Sequence, residues 1–445
     1  MIRKFRVQSL EFRVLVFILS LFTIYYSLFT EVQAKIYIDI NAPSFRRIPI
    51  AVTEFKNLGT APDREGHSQK MTEVIKNNLN FTGFFELLNP ASFIEDPNRA
   101  GIAEESIDFK DWAAIGAEAL IKGGIIFDGQ RITVEARLFD VFQGRMITGK
   151  RYTGDVKDFR KIAHNFSNEI VKSFTGEEGI FETSIALISN SIGAKEIYVM
   201  DYDGYNIRRM TNSGSLNLSP NWSPDGSKIA FSSVRGRSWW LYTIDLKTKE
   251  EKRLTLQRGL NISPSFSPNG DKLAFAYSKE GNSDIYIMEG NNMRRITNHV
   301  AIDISPSWSP DGKNIAFVSD RGGSPQIYIM DSNGEGVRRI TFEGNYNVSP
   351  SWSPRGDRIV FASRRGGKFE ICTINPDGSD LQQLTYEGNN ENPSWSPDGR
   401  YIVFSSRRDG GTGIYSMRAN GENQRLITSK GVTAINPAWS PRTRE

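Results

Sequence analysis

A six-bladed β-propeller preceded by a separate α/β domain is the fold this sequence predicts. Three observations carry it. A phrase of the form Ser/Asn-Pro-x-Trp/Phe-Ser-Pro recurs six times, each repeat holds four strand-like runs, and the first half of the chain shows no repeat at all.

The aromatic residue of the phrase falls at Trp222, Phe266, Trp308, Trp352, Trp395 and Trp439, at intervals of 44, 42, 44, 43 and 44 residues. The first strand of each unit ends there. The second has an Ile-Ala-Phe character (229–233, 273–277, 315–319, 359–363, 402–406), and the third an Ile-Tyr-x-Met character (285–288, 327–330, 414–417). The fourth ends near Arg-x-Thr, as in Arg294-Arg295-Ile296-Thr297. Short β-branched and aromatic runs bounded by Gly, Pro, Asn and Asp read as strands. Four of them in about 40–45 residues is a propeller blade. Ser-Pro-Asp-Gly at 223–226, 309–312 and 396–399 suits a type I turn between the first two strands, with Pro at the second turn position and Gly at the fourth.

The ends of the array fix the blade count. Runs at 185–189, 197–200 and 207–211 match strands two to four with no first strand before them, whereas Asn436-Pro437-Ala438-Trp439 is a first strand with no blade after it. One blade is therefore split between the two ends, and five whole units plus this one close a ring of six.

Residues 35–178 are expected to form the α/β domain and 179–445 the propeller. Runs 36–40, 48–55 and 131–139 read as strands, Met71, Val74, Ile75 and Leu79 share one helical face, and Asp155 is a candidate cap for a helix carrying Phe159, Ile162, Phe166, Ile170 and Phe174. Gly176 is its expected stop. Ahead of this lie Arg3, Lys4, Arg6 and Arg13, an apolar run from Val14 to Phe29, and Val32-Gln33-Ala34. That order describes a secretory signal peptide over 1–34, cleaved to leave Lys35 in an exported protein. The competing reading is an uncleaved anchor, because the run approaches the roughly 17–25 residues that span a bilayer.

Composition narrows the function classes. A formal net charge of +4 gives no electrostatic case for nucleic-acid binding, and a lone Cys372 excludes an internal disulfide or a Cys-based zinc site. His67, His164 and His299 are the only histidines, and none lies in a nucleophile elbow, zinc or phosphate-loop motif. Six residues follow Trp439, so the hydrolase domain of propeller-bearing peptidases is not expected here. The tryptophans read as inter-blade core and Cys372 as a buried thiol. One column looks less structural. Asn217, Asn261, Asp303, Asn347 and Asn390 each stand three residues before the motif Pro, with Ala434 in the sixth place. In loops gathered at the channel mouth they are candidates to bind a partner's backbone, with Leu260, Ile304 and Tyr346 adding apolar contacts. The alternative is that Asn and Asp simply suit the turn before a strand.

Leader, α/β domain and six Pro-x-Trp-Ser-Pro-like units together resemble the TolB family over the whole chain. The resemblance implies a non-enzymatic, periplasmic scaffold of the Tol-Pal system. Its propeller face would bind the outer-membrane, peptidoglycan-associated lipoprotein Pal, and some colicins would use the same face. Residues 35–47, with Lys35, Ile36, Tyr37, Ile38, Asp39 and Ile40, correspond to a segment that switches between free and docked states and engages the inner-membrane protein TolA. An edge strand of the domain is the plainer reading of that segment. The implied role is outer-membrane integrity and envelope constriction at division, reached peripherally through partners. Leu260 and Ile304 depart from the more polar residues expected of Pal contacts. No cofactor or metal is expected, apart from calcium in the channel, for which Asp303 is the sole acid of the column. An outer-membrane assembly propeller and a propeller hydrolase or lyase are the alternative functions.

Overall fold

The computed structural model describes residues 38, 46–96, 101–190, 193–279, 281–408 and 410–442. The leader 1–34, and Lys35, Ile36, Tyr37, Asp39 and Ile40 of the segment after it, lie outside the described residues. Among the described residues no helix is long and apolar enough to cross a membrane.

The N-terminal domain is a mixed sheet covered by helices. Its strands are β1 (Ile48–Val52), β2 (Lys56–Asn57), β3 (Phe85–Leu87), β4 (Ala119–Asp128), β5 (Arg131–Asp140) and β6 (Arg145–Asp155), in the order β3-β1-β4-β5-β6 with β2 also on β4. β1 runs parallel to β3 and β4, while β4, β5 and β6 are antiparallel. The alternating Ile132, Val134, Ala136 and Leu138 of β5 are all buried, as a strand with one covered face requires.

Helices α1 (His67–Thr82) and α3 (Phe159–Thr175) supply the cover, and a short α2 (Phe109–Ala114) lies between them in sequence. Met71, Val74, Ile75 and Leu79 of α1 meet Ile162, Phe166, Ile170 and Phe174 of α3 in one core. Gly176 ends α3 in the left-handed conformation (φ 75°), where a side chain would be strained. Asp155 does not cap that helix. It precedes a 3-10 turn (Val156–Asp158) and makes no capping bond, because the turn inserts three residues before the helix begins. Ile38 is buried, and its N–H donates to the Phe174 carbonyl at 2.8 Å, which ties the start of the domain to the end of α3.

Five four-stranded blades follow in plain sequence order, beginning at Asn217, Leu260, Asp303, Asn347 and Asn390. The sixth joins β7 (Ser184–Ser189), β8 (Glu196–Asp201) and β9 (Arg208–Arg209) to the last strand, Ala434–Trp439, with Ala434 opposite Ser189 and Trp439 opposite Ile185. The split blade closes the ring and leaves no long free inner edge. Each Ser-Pro-Asp-Gly turn is closed as expected, for example by Gly226 N–H to Ser223 O at 2.9 Å. The repeated tryptophans work between blades. The indole N–H groups of Trp222, Trp308 and Trp395 reach the carbonyls of Ala438, Ser265 and Ser351 on the preceding inner strand, at 2.9, 3.1 and 3.1 Å.

The two domains share a core at one seam. Tyr202, beyond β8, is buried against Phe81 and Phe181, and its hydroxyl donates to Asn78 Oδ1 at 2.5 Å. From the neighbouring blade Tyr401 packs on Phe81, and the Arg425 guanidinium lies 4.0 Å over the same ring. The N-terminal domain thus sits on the ring-closing blade and the one before it.

Asn78 also donates to Ser167 Oγ (2.8 Å) and approaches His164 Nδ1 (3.0 Å). Burial pushes the His164 imidazole down to about 4, so it is neutral in the folded protein at pH 7. The unfolded chain takes up this proton near pH 6.5 and the folded one only near pH 4. The sign follows: the contribution is intact above pH 6.5 and is lost as pH falls through that window. Its full size is about 3 kcal/mol. Urea titrations between pH 7 and 4 should show this loss, and His164→Phe should flatten the slope by about one proton. An unchanged slope would contradict the burial of a neutral imidazole.

Candidate binding face at the inter-blade loops

Each inner strand starts on the face of the ring away from the N-terminal domain. On that face the loops between blades meet the hairpins between strands two and three, as in Arg364 N–H to Tyr346 O at 2.8 Å and Asn389 N–H to Arg407 O at 3.2 Å. The channel narrows just inside. Ser219, Ser263, Ser305, Ser349, Asn392 and Asn436 stand in the left-handed region at φ 49–55°, each bulging out of its strand ladder before a Pro. These six pairs line a throat of about 140 Å³. On the far side lies a chamber of about 1430 Å³ lined by Trp and Pro residues of the motif and by Glu178, Gly179, Glu182 and Thr183 of the linker.

The polar column does not face a partner. Asn217, Asn261, Asp303, Asn347 and Asn390 are all fully buried (0% exposed). Asn217 Nδ2 donates to Lys195 O (3.0 Å), Glu196 Oε2 (2.8 Å) and Ser213 Oγ (3.0 Å). Asn261 binds the carbonyls of Trp239 (2.9 Å) and Gln257 (3.1 Å), and Asn347 binds Gln326 Oε1 (2.7 Å) and Glu343 O (2.9 Å). Asn390 donates to Glu370 Oε2 (2.8 Å) and accepts from Arg408 (3.0 Å), and the Asp303 carboxylate takes Arg321 at 2.9 and 3.1 Å. The assignment of these five as direct contacts is therefore corrected. They sit below the loop, where the strand begins; the four Asn side chains tie it to the head of the third strand of the preceding blade, and Asp303 ties it to the hairpin of its own blade through Arg321. Of the three apolar candidates, Leu260 and Ile304 are half-buried, with Ile304 packed on the cores of two blades, and only Tyr346 is exposed.

What the face does offer was not singled out in the sequence. Leu256, Phe342 and Tyr386 directly follow the Thr that ends each fourth strand, and Val300 lies in the equivalent loop. They are 71, 72, 75 and 93% exposed, with Ile302 and Tyr346 beside them. At the two remaining junctions the residue after the Thr is Asn212 or Ser429. The apolar residues thus form a crescent over four consecutive loops. The Thr itself is internal. The Thr255 hydroxyl accepts the Leu241 N–H at 3.0 Å, which pins the strand end and projects the next residue outward. A non-polar residue immediately after this Thr is the signal that would have found Leu256, Phe342 and Tyr386, whereas Val300 stands three residues after Thr297 and carries no such mark.

Calcium does not fit the channel residues described. Asp303 is already neutralised by Arg321, and no three His, Cys, Asp or Glu residues gather among the described residues. A Ca²⁺ site needs six to eight oxygens with net negative charge. His164 and Cys372 are buried, the thiol pushed up to about 11 by desolvation.

The protein is a two-domain propeller: a closed ring of six blades, an α/β domain docked on its closing blade, and an apolar crescent on the opposite loop face. Family models agree along most of the chain: the TolB amino-terminal domain matches residues 36–147 and the TolB beta propeller domain matches 171–443. The chain belongs to the TolB family. It is 42% identical over 256 residues to the Tol-Pal system protein TolB of Desulfosudis oleivorans, covering 57% of this chain and 58% of that protein. It is 42% identical over 200 residues to the protein of the same name from Syntrophotalea carbinolica, covering 45% and 46%. The alignments thus span about half the length of these curated relatives. The crystal structure of TolB from Acinetobacter baumannii superposes with a TM-score of 0.78 at 29% identity, covering 89% of this chain and 98% of that one.

Proposed function

We propose that this chain is a non-enzymatic, periplasmic scaffold of the Tol-Pal system that docks the Pal lipoprotein on the inter-blade loop face of its propeller. The observation that carries this reading is the crescent of Leu256, Val300, Phe342 and Tyr386. Large apolar side chains exposed in adjacent loops mark a partner surface, because burying them is favourable only in a complex. The second engagement, of TolA by the segment from Lys35 to Arg47, rests on family membership. Together the two contacts would link outer-membrane and inner-membrane proteins and so support envelope integrity and constriction at division.

The test is a titration of the chain from Lys35 with the soluble domain of the same organism's Pal. The quadruple variant Leu256→Ser, Val300→Ser, Phe342→Ser and Tyr386→Ser changes only exposed loop positions and is expected to fold normally. It should bind at least about a hundredfold more weakly, since exposed apolar anchors at an interface carry most of its energy. Wild-type binding untouched by the four changes would move the site elsewhere on the ring. Failure of the wild-type chain to bind would remove Pal as the partner.

A further inference from the structure

The loop face carries a set of exposed cations without ion-pair partners among the described residues. Arg237, Arg258, Arg364, Lys368, Arg407 and Lys430 are exposed there, and none forms an ion pair among the described residues. The exposed carboxylates described on the same face are Glu343 and Glu387. The opposite face carries its carboxylates in tight turns, with Asp245 Oδ1 accepting from Thr248 N (2.9 Å) and Asp331 Oδ1 from Asn333 N (2.8 Å).

We infer that the loop face selects an acidic polypeptide surface, whose carboxylates meet the basic rim while its apolar side chains cover the crescent. This rests on the docking proposed above and adds the chemistry of the occupant. Complementary charge at a rim steers encounter and rejects wrong partners, while apolar anchors supply the affinity. The arrangement favours a protein over a lipid surface. The crescent occupies four of the six loop junctions and leaves the two on the other side polar, so it is asymmetric about the channel axis. A flat bilayer would meet apolar tips on all sides, whereas one folded partner in one orientation meets them on one.

The experiment titrates the chain from Lys35 with three probes at low and high salt: the soluble Pal domain, poly-L-glutamate, and vesicles of anionic phosphatidylglycerol. A rim variant reverses Arg258, Arg364, Lys368 and Arg407 to Glu, and a control variant reverses Lys228, Lys252 and Lys313 away from this face. Wild type should bind poly-L-glutamate and Pal, with each weakened at least about tenfold by salt or by rim reversal and unaffected by the control. Pal binding indifferent to salt and to rim reversal would overturn the inference while leaving the docking intact. Charge-dependent binding of poly-L-glutamate without binding of Pal would support the inference and remove Pal as the partner. Rim-dependent binding of vesicles but not of poly-L-glutamate would overturn it in favour of a lipid surface, and binding of neither acidic polypeptide would overturn it outright.

Discussion

Tyr202→Ala should destabilise the chain by about 3–5 kcal/mol and separate its unfolding into two transitions. The ring of Tyr202 is buried against Phe81 of α1 and Phe181 of the linker, and its hydroxyl donates to Asn78, which also bonds Ser167 and approaches His164. Removing it opens a cavity at the seam and strips Asn78 Oδ1 of its donor. Tyr202→Phe separates the two effects: it keeps the packing and loses the bond, at a cost of about 1–3 kcal/mol. Calorimetry should show one peak for wild type and for Tyr202→Phe, and two for Tyr202→Ala. A single unshifted peak for Tyr202→Ala would mean that the seam contributes little to cooperativity.

Asp303→Ala is the second large effect. The carboxylate is fully buried and is held by Arg321, whose side chain is 17% exposed. Removing one partner leaves a largely desolvated guanidinium with no counter-charge, at about 3 kcal/mol. The same change should leave the Pal dissociation constant within about twofold, measured well below the melting temperature, because Asp303 is fully buried beneath the loop face. Lost binding with unchanged stability would restore Asp303 as a direct contact. Asn217→Ala and Asn390→Ala should follow the same pattern with smaller losses.

The contrast between these residues and the crescent explains what the sequence could and could not disclose. Strand count, the split blade and the turn chemistry follow from spacing, because period and Pro-Gly placement are local properties of the chain. The N-terminal helices were legible for the same reason: Met71, Val74, Ile75 and Leu79 define a stripe whatever they pack against. The direction in which Asn217 or Asp303 points is not local. For Asn217 it depends on the third strand of the preceding blade, roughly twenty residues earlier, which supplies Glu196, and for Asp303 on Arg321 in a hairpin eighteen residues later. Five polar residues in register looked like a recognition column and proved to be internal ties. The crescent was hidden for the opposite reason, since one apolar residue in a polar loop is unremarkable until four of them fall on one face. Tyr202 and Tyr401 share this property, as their sequence neighbours do not announce that a helix from another domain covers them.

The seating of the N-terminal domain on the split blade also has a mechanical side. β7 leaves the linker and runs between the last strand and β8, hydrogen-bonded to both. A pull applied through the N-terminal domain is directed along this strand, so the rungs on both flanks are loaded together in shear instead of peeling one at a time. The Tyr202 contact and the Arg400–Glu177 pair (2.7 Å) span the same gap in parallel with the linker and take up strain before it extends. The N-terminal domain is thus joined to the ring at the point best placed to bear tension, where an unsupported strand would otherwise be the first to detach.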